Sequence, residues 1–278
     1  MFNTTRIITA LATVAMLSSC GGEKVHNIDD DREVTTDTVD ASVSLDIGIM
    51  QAKMPSSSEL GKKLAAAGVP YNAAILLPSG KATSYSTKYQ QALAMGAYGM
   101  DLGYACAFRQ SPDATSYLGA MGNIAKSLGI DIIFNKEFVE QMIKAIPSAD
   151  SMDIMIDKAY TRAEHNMQSN ARVQSAVLMI AGGWVEGISV TMEQLNTKKD
   201  DKKVADLYHD VYENCSSIAY VYEMMDAYKG QPDIEKLRED LKPYYDVIKA
   251  VGDTPKFGPG VGFDNLYKAI KELRAKLY

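Results

Sequence analysis

Two carboxylates stand in unusual surroundings and are the strongest candidates for chemistry in this chain. Asp101 lies among glycines and small residues, with Tyr98 and Tyr104 three positions away on either side. Glu186 lies in a second glycine-rich stretch, beside the only tryptophan, Trp184. A carboxylate is costly to bury unless it is hydrogen-bonded, paired or protonated. Two such groups with separated pKa values are typical of general acid and base catalysis.

The two carboxylates support two interpretations. In the functional one they share a polar site between two helices, and five sequence neighbours supply its binding surface: Tyr98, Tyr104, Trp184, Gly99 and Gly103. In the structural one they hold buried hydroxyls, face water, or pair with an arginine such as Arg109, Arg162 or Arg172. The residue types alone leave both interpretations open.

No other group of residues forms a recognisable catalytic or metal motif. Asp206, His209 and Glu213 could share one helix face, but His209 is offset from the apolar stripe of that helix, so a solvated polar face explains all three. The chain has no Ser-x-x-Lys, Gly-x-Ser-x-Gly or His-Glu-x-x-His motif. The sequence therefore predicts no metal and no cofactor, and it disfavours the common hydrolase classes.

The N-terminus is typical of an exported bacterial lipoprotein. Arg6 precedes an uncharged apolar run over residues 7–17, about half of the roughly 20 residues that a transmembrane helix needs. Leu17-Ser18-Ser19-Cys20 resembles a lipobox, whose cysteine sulfur receives diacylglycerol and whose freed amine receives a further acyl chain such as palmitate. We predict that residues 1–19 are a removed signal peptide and that lipidated Cys20 anchors the protein to a membrane.

The region after the anchor is predicted to be a flexible tether over residues 20–40. It is polar and has few apolar side chains to offset the entropy of ordering it. Gly21 stands where an aspartate would retain an enteric lipoprotein in the inner membrane, which favours the outer membrane and leaves the facing side open. The net charge of −6, with lysines and acids interspersed, excludes nucleic acid as a partner.

Residues 41–278 predict an all-α domain, an antiparallel helical bundle or an irregular helical array. It follows a short strand or extended arm in which Val43, Leu45, Ile47 and Ile49 alternate with mostly small or polar residues. A capping box of Ser56 and Glu59 predicts the start of the first helix. Caps and periodicity predict further helices over residues 86–109, 112–128, 135–146, 151–168, 171–195, 200–228, 232–251 and 263–277.

Small residues form one face of the helix that carries Asp101. They recur at spacings of three and four: Ala92, Gly96, Gly99, Gly103 and Ala107. Each interior glycine costs up to about 1 kcal/mol relative to alanine, so three of them imply a benefit from close packing. We expect this whole face to pack tightly against another surface.

Two cysteines follow the lipidation site. Cys215 belongs to an apolar stripe with Val211, Ile218 and Tyr222, whereas Cys106 is offset from the glycine face of its own helix. A disulfide needs Cα atoms within about 7 Å, a condition that two arbitrary helices seldom meet. We predict two buried, unpaired thiols.

The glycine-rich segments also carry a family resemblance. Residues 92–104, together with Leu128-Gly129-Ile130 and residues 181–187, resemble a family of helical lipoproteins from the Bacteroidetes. The resemblance covers roughly the middle half of the mature chain, and it implies an envelope location and a helical fold. That family has no assigned activity, so the resemblance implies no catalytic residue.

These observations predict a membrane-anchored, non-catalytic module that binds a protein partner or a small ligand. The alternative is an envelope enzyme that uses Asp101 and Glu186 as an acid and base pair, and a purely structural lipoprotein comes third. The separation of the two carboxylates, and the presence of a cavity between them, discriminates among these functions.

Overall fold

A computed structural model describes residues 49–50, 52–53, 56–166, 170–199, 201–252 and 257–278, and every structural statement below concerns these ranges. The predicted signal peptide, Cys20, the tether and most of the predicted arm lie outside them. Ile49, the last residue of that arm, is helical, so the extended prediction is wrong at this position.

Within these ranges the chain forms α-helices and short 3₁₀ turns, with no named strand, which confirms the all-α prediction. The helices are α1 (Glu59–Ala66), α2 (Lys88–Ala107), α3 (Ser111–Leu128), α4 (Lys136–Ala145), α5 (Ala149–Asn166), α6 (Asn170–Asn196), α7 (Leu207–Met224), α8 (Pro232–Val251) and α9 (Phe263–Leu277). A connection with 3₁₀ turns at Ala73–Ile75 and Ser79–Thr83 joins α1 to α2. All of them belong to one unit, Asp37–Tyr278.

Local sequence signals set several of these boundaries. The Thr87 hydroxyl accepts the Gln90 N–H at 3.2 Å before α2, and Asn135 caps α4 in the same way through Phe138. Gly129 ends α3 with a φ of 71°, a left-handed conformation that favours glycine. These helix boundaries were predictable because the groups that define them lie within one turn.

The predicted capping box before α1 is wrong. Glu59 begins the helix, but the cap position is Ser58, whose hydroxyl donates to Asp153 of α5 instead of capping its own helix. The Ser57 hydroxyl donates to the same carboxylate at 2.8 Å, and the Ser58 N–H does so at 3.1 Å. A carboxylate distant in sequence therefore holds this helix start.

Helix α6 is the central helix of the domain. Its segment Val173–Asn196 is long and apolar enough to span a membrane by length and composition alone. However, 94% of the apolar window is buried inside the protein, as expected of a core helix.

Helices α2 and α6 cross with their backbones almost in contact. A Cβ atom at Gly96 would stand 1.8 Å from the Met179 carbonyl oxygen of α6. Reciprocally, a Cβ atom at Gly182 would stand 2.1 Å from the Leu93 carbonyl oxygen of α2. The two glycine-rich segments are therefore the two sides of one helix crossing, which no larger residue would permit.

The two central helices run in the same direction. Later residues of α2 contact later residues of α6: Leu93 lies against Gly182, and Met100 lies against Gly187. The centre of the fold is thus a parallel pair, which corresponds to the irregular array among the predicted architectures and differs from an antiparallel bundle.

The prediction of a uniformly tight glycine face is wrong at Gly99. A Cβ atom at Gly103 would stand 2.5 Å from the Ser57 backbone, so Gly103 is tightly packed. At Gly99 the nearest atom is the Met121 methyl at 3.9 Å. Gly99 instead borders an apolar cavity of about 30 Å³ between α2, α3, α5 and α6.

Both described cysteines are buried and unpaired, as predicted. Burial raises the pKa of Cys106 and that of Cys215 to about 12. The two thiols therefore stay protonated at neutral pH and act as apolar core residues.

The contrast between Gly96 and Gly99 gives a stability prediction. Gly96→Ala should lower the free energy of unfolding by about 1 to 3 kcal/mol, because its Cβ atom must push two helix backbones apart. Gly99→Ala should leave it unchanged or raise it by up to about 1 kcal/mol, because alanine favours the helix and has space. Thermal unfolding of both variants measures the difference, and equal melting temperatures would contradict the crossing geometry.

Candidate functional site

The two candidate carboxylates meet inside the protein. Asp101 on α2 and Glu186 on α6 both have 0% of their surface exposed, and their carboxyl groups lie close enough to shift each other's pKa. The crossing of the parallel helices brings them together, since each lies within two turns beyond its crossing glycine, Gly96 or Gly182.

Arg274 of α9 binds Glu186 with a two-pronged contact. Its Nε donates to Oε2 at 2.8 Å and its Nη2 donates to Oε1 at 2.6 Å. Nη2 also donates to the Ile75 carbonyl oxygen at 2.8 Å. Such fork-to-fork pairing is the strongest contact that an arginine makes with a carboxylate.

The sequence analysis missed Arg274 and named other arginines. Arg162 lies over the Phe138 ring at 4.4 Å, and the Arg172 side chain is outside the described part of the chain. The available signal was the position of Arg274 four residues after buried Ile270, on the apolar side of α9. A cation at such a position needs a buried partner, although its spacing does not say which one.

Asp101 is the carboxyl group of the pair whose pKa is raised more strongly. Its Oδ2 accepts the Leu77 N–H at 3.1 Å, whereas its Oδ1 has no N–H or hydroxyl donor among the described residues and faces Glu186. Burial raises the pKa of Asp101 well above its ordinary 3.8, and the Glu186 charge raises it further. Burial also raises the pKa of Glu186, but its hydrogen bonds to Arg274 oppose that effect. Together these effects favour the protonated form of Asp101 and the ionised form of Glu186.

This polar cluster holds the chain segment 75–78 in place. The Leu77 N–H donates to Asp101, and the Leu77 carbonyl oxygen accepts the Tyr117 hydroxyl at 3.0 Å. The Pro78 carbonyl oxygen accepts the Tyr98 hydroxyl at 3.0 Å. With the arginine bond to residue 75, four hydrogen bonds fix an irregular segment that has no partner strand or helix.

Of the other predicted binding residues, Tyr104 borders the same small cavity as Asp101, whereas Trp184 lies elsewhere. The Tyr104 hydroxyl accepts the Gln194 side-chain amide at 2.6 Å between α2 and α6. The Trp184 indole N–H donates to the Asn214 carbonyl oxygen at 2.9 Å, and its ring packs edge-on against Tyr244. Trp184 thus serves the contact of α6 with α7 and α8, while Tyr98 is the predicted aromatic residue that supports the segment beside the carboxyls.

A small cavity and a surface groove adjoin this cluster. Asp101 borders a cavity of about 10 Å³, roughly the space of one water molecule. Arg274, whose side chain is 25% exposed, borders a groove of about 450 Å³ between the 76–81 segment and α9. We call it the Arg274 groove; its main lining residues are Leu76, Leu77, Pro78, Lys81, Lys271 and Arg274.

Comparisons with protein-family models, curated proteins and solved structures found no match to this chain. The resemblance to Bacteroidetes lipoproteins therefore stays a prediction. Within the described ranges, no three His, Cys, Asp or Glu side chains form a group that could hold a metal ion. The site is defined by its own geometry: a buried acid and arginine cluster beneath a surface groove.

The position of the proton predicts how two conservative substitutions differ. Asp101→Asn keeps one donor for Glu186 and one acceptor for the Leu77 N–H and needs no bound proton, so at pH 7 it should not lower the unfolding free energy. Glu186→Gln removes the negative charge that balances Arg274 and should cost about 3 kcal/mol. Chemical denaturation at pH 7 measures both, and equal losses would show that Asp101 is ionised in the folded protein.

The comparison of Asp101→Asn with the native protein also has a defined pH dependence. Folded Asp101, which faces Glu186 and Arg274, keeps a proton that the unfolded chain releases above pH 3.8. The contribution of protonated Asp101 to the unfolding free energy is therefore complete below pH 3.8. It is lost as the pH rises toward the raised pKa of Asp101 in the folded protein. In this range the unfolding free energy of the variant should rise, relative to that of the native protein, by up to about 1.4 kcal/mol per pH unit. A drift in the opposite direction would contradict the raised pKa.

Proposed function

We propose that this protein is a lipid-anchored envelope protein whose helical domain is a binding module, with its ligand site in the Arg274 groove. The observation that carries the proposal is that this groove, unlike the larger one of about 630 Å³ between α8 and α9, is walled by the segment that the buried cluster holds. The volume of the Arg274 groove, about 450 Å³, lies within the range of roughly 300 to 1,000 Å³ that is typical of small-molecule sites. Apolar side chains and a few charged groups line it, as they do in such sites.

The buried cluster supports this proposal because it makes the groove rigid. One wall of the groove is the 76–78 segment, whose backbone is bonded to Asp101, Tyr98 and Tyr117. Another part of the lining is Arg274, which Glu186 fixes through two hydrogen bonds. A preformed site binds more tightly because less conformational entropy is lost when the ligand arrives.

The proposed anchor rests on the lipobox-like residues that end at Cys20 and on the tether that follows. Gly21 favours the outer membrane by the sorting rule of enteric lipoproteins. Several acyl chains on one cysteine would hold the domain at a membrane surface permanently, whereas a single chain binds only weakly.

The alternative of an acid–base enzyme is favoured by one observation, the meeting of Asp101 and Glu186. Three of their four carboxyl oxygens already accept hydrogen bonds from Leu77 or Arg274. The cavity beside Asp101 holds about one water molecule, so a larger substrate would reach neither group unless the helices separated. We therefore favour binding over catalysis.

The anchor is tested by Cys20→Ser. Without the acyl acceptor, the variant should move from the membrane fraction to the soluble fraction of the cell envelope. Cys106→Ala is the matched control, because it removes a buried cysteine away from the cleavage site and should leave the protein in membranes. Retention of the Cys20 variant in membranes after a high-salt wash would refute the anchor.

The groove is tested by blocking it with tryptophan. Ala275 is exposed and borders the Arg274 groove, while Ala250 is exposed and borders a separate groove between α8 and α9. In soluble Cys20→Ser protein, native mass spectrometry should detect a co-purifying ligand that Ala275→Trp loses and Ala250→Trp keeps. The same ligand mass in both tryptophan variants would place the site elsewhere.

A further inference from the structure

The charges of the Arg274 groove identify the chemistry of its ligand. The Arg274 guanidinium donates two hydrogen bonds to Glu186, and the Lys271 ammonium lies 3.5 Å from the Glu193 carboxylate. Lys81 is exposed on the 3₁₀ turn at the opposite rim, and no acidic side chain among the described residues lies within salt-bridge distance of it.

The pairing of its charged side chains leaves the groove with one unpaired cation. Arg274 is paired with Glu186, and Lys271 is paired with Glu193. Lys81 is exposed and unpaired among the described residues, so its positive charge is the one available to a ligand.

The floor of the groove is apolar. Leu76, Leu77 and Pro78 line it from one side and Ala275 lines it from α9. Removal of such surface from water stabilises a bound apolar group in proportion to the area covered. The groove therefore combines an apolar floor with a single available cation at its rim.

We propose, on the basis of the proposed binding function, that the Arg274 groove takes an amphipathic monocarboxylate. Its carboxylate lies beside Lys81, and its apolar chain covers the 76–78 segment. A single negative charge matches the single unpaired cation, Lys81. A phosphate dianion fits less well, because the Nε and Nη2 groups of Arg274 are bonded to Glu186 and cannot form the same two-pronged contact with a second anion.

The test uses octanoate as the probe and soluble full-length Cys20→Ser protein, so that no detergent competes for the groove. Titration calorimetry should show saturable binding of one octanoate per protein. Octanamide, which lacks the charge, and acetate, which lacks the chain, should each bind at least about tenfold more weakly. Inorganic phosphate should also bind more weakly than octanoate.

Lys81→Glu should weaken octanoate binding by at least about tenfold, because it reverses the charge at the rim. The matched control is Lys126→Glu, an equal charge change at an exposed position of α3, which should change the affinity by less than about twofold. Ala275→Trp should abolish binding. Far-ultraviolet circular dichroism and thermal unfolding establish that each variant remains folded.

Several results would overturn the assignment: no saturable octanoate binding, equal binding of octanamide, tighter binding of phosphate, or equal effects of the two lysine substitutions. Failure of this inference is distinguishable from failure of the proposed function. If Ala275→Trp removes the co-purifying ligand but octanoate does not bind, the groove remains the binding site and only the carboxylate chemistry is wrong. If Ala275→Trp leaves the amount of co-purifying ligand unchanged, the groove itself is not the site.

Discussion

The backbone contact between α2 and α6 brings two carboxyl groups together where water is excluded. Gly96 and Gly182 allow the helices to approach until each carbonyl occupies the space that a side chain would need. Because the helices run in parallel, Asp101 and Glu186 follow the crossing at similar distances and face one another. The glycines thus determine the chemistry of the site although they contribute no polar side chain.

Two buried carboxylates would repel each other and would each lose their hydration, so the fold must neutralise them. Burial and the neighbouring Glu186 charge raise the pKa of Asp101, which favours its neutral form, and Arg274 of α9 neutralises Glu186. The same arginine and acid also bind the backbone at Ile75 and Leu77. Buried ion pairs often contribute more to the choice of one arrangement than to stability, and we infer that this cluster specifies how α9 and the 75–78 segment dock.

The docking of these two elements creates the Arg274 groove. One element supplies the wall of Leu76, Leu77 and Pro78, and the other supplies Arg274 and Lys271. The buried carboxyls therefore hold the walls of the groove, although neither carboxyl lines it. This arrangement gives two residues with the appearance of a catalytic pair a structural role.

The sequence by itself determined the helices, most of their ends, and the unusual character of Asp101 and Glu186. Those features depend on neighbours within one or two turns: Thr87 and Asn135 cap the helices that follow them, and Gly129 ends α3. Two buried cysteines were also predictable from helical periodicity, because Cys215 lies on an apolar stripe.

Only the tertiary structure decided which groups meet. The pairing of Arg274 with Glu186 spans 88 positions, and the hydrogen bond from Ser58 to Asp153 spans 95. Gly99 and Gly103 have the same local pattern, yet one borders a cavity and the other touches the Ser57 backbone. Spacing along a helix gives the face on which a residue lies, but the identity of the group opposite that face depends on the packing of the whole chain.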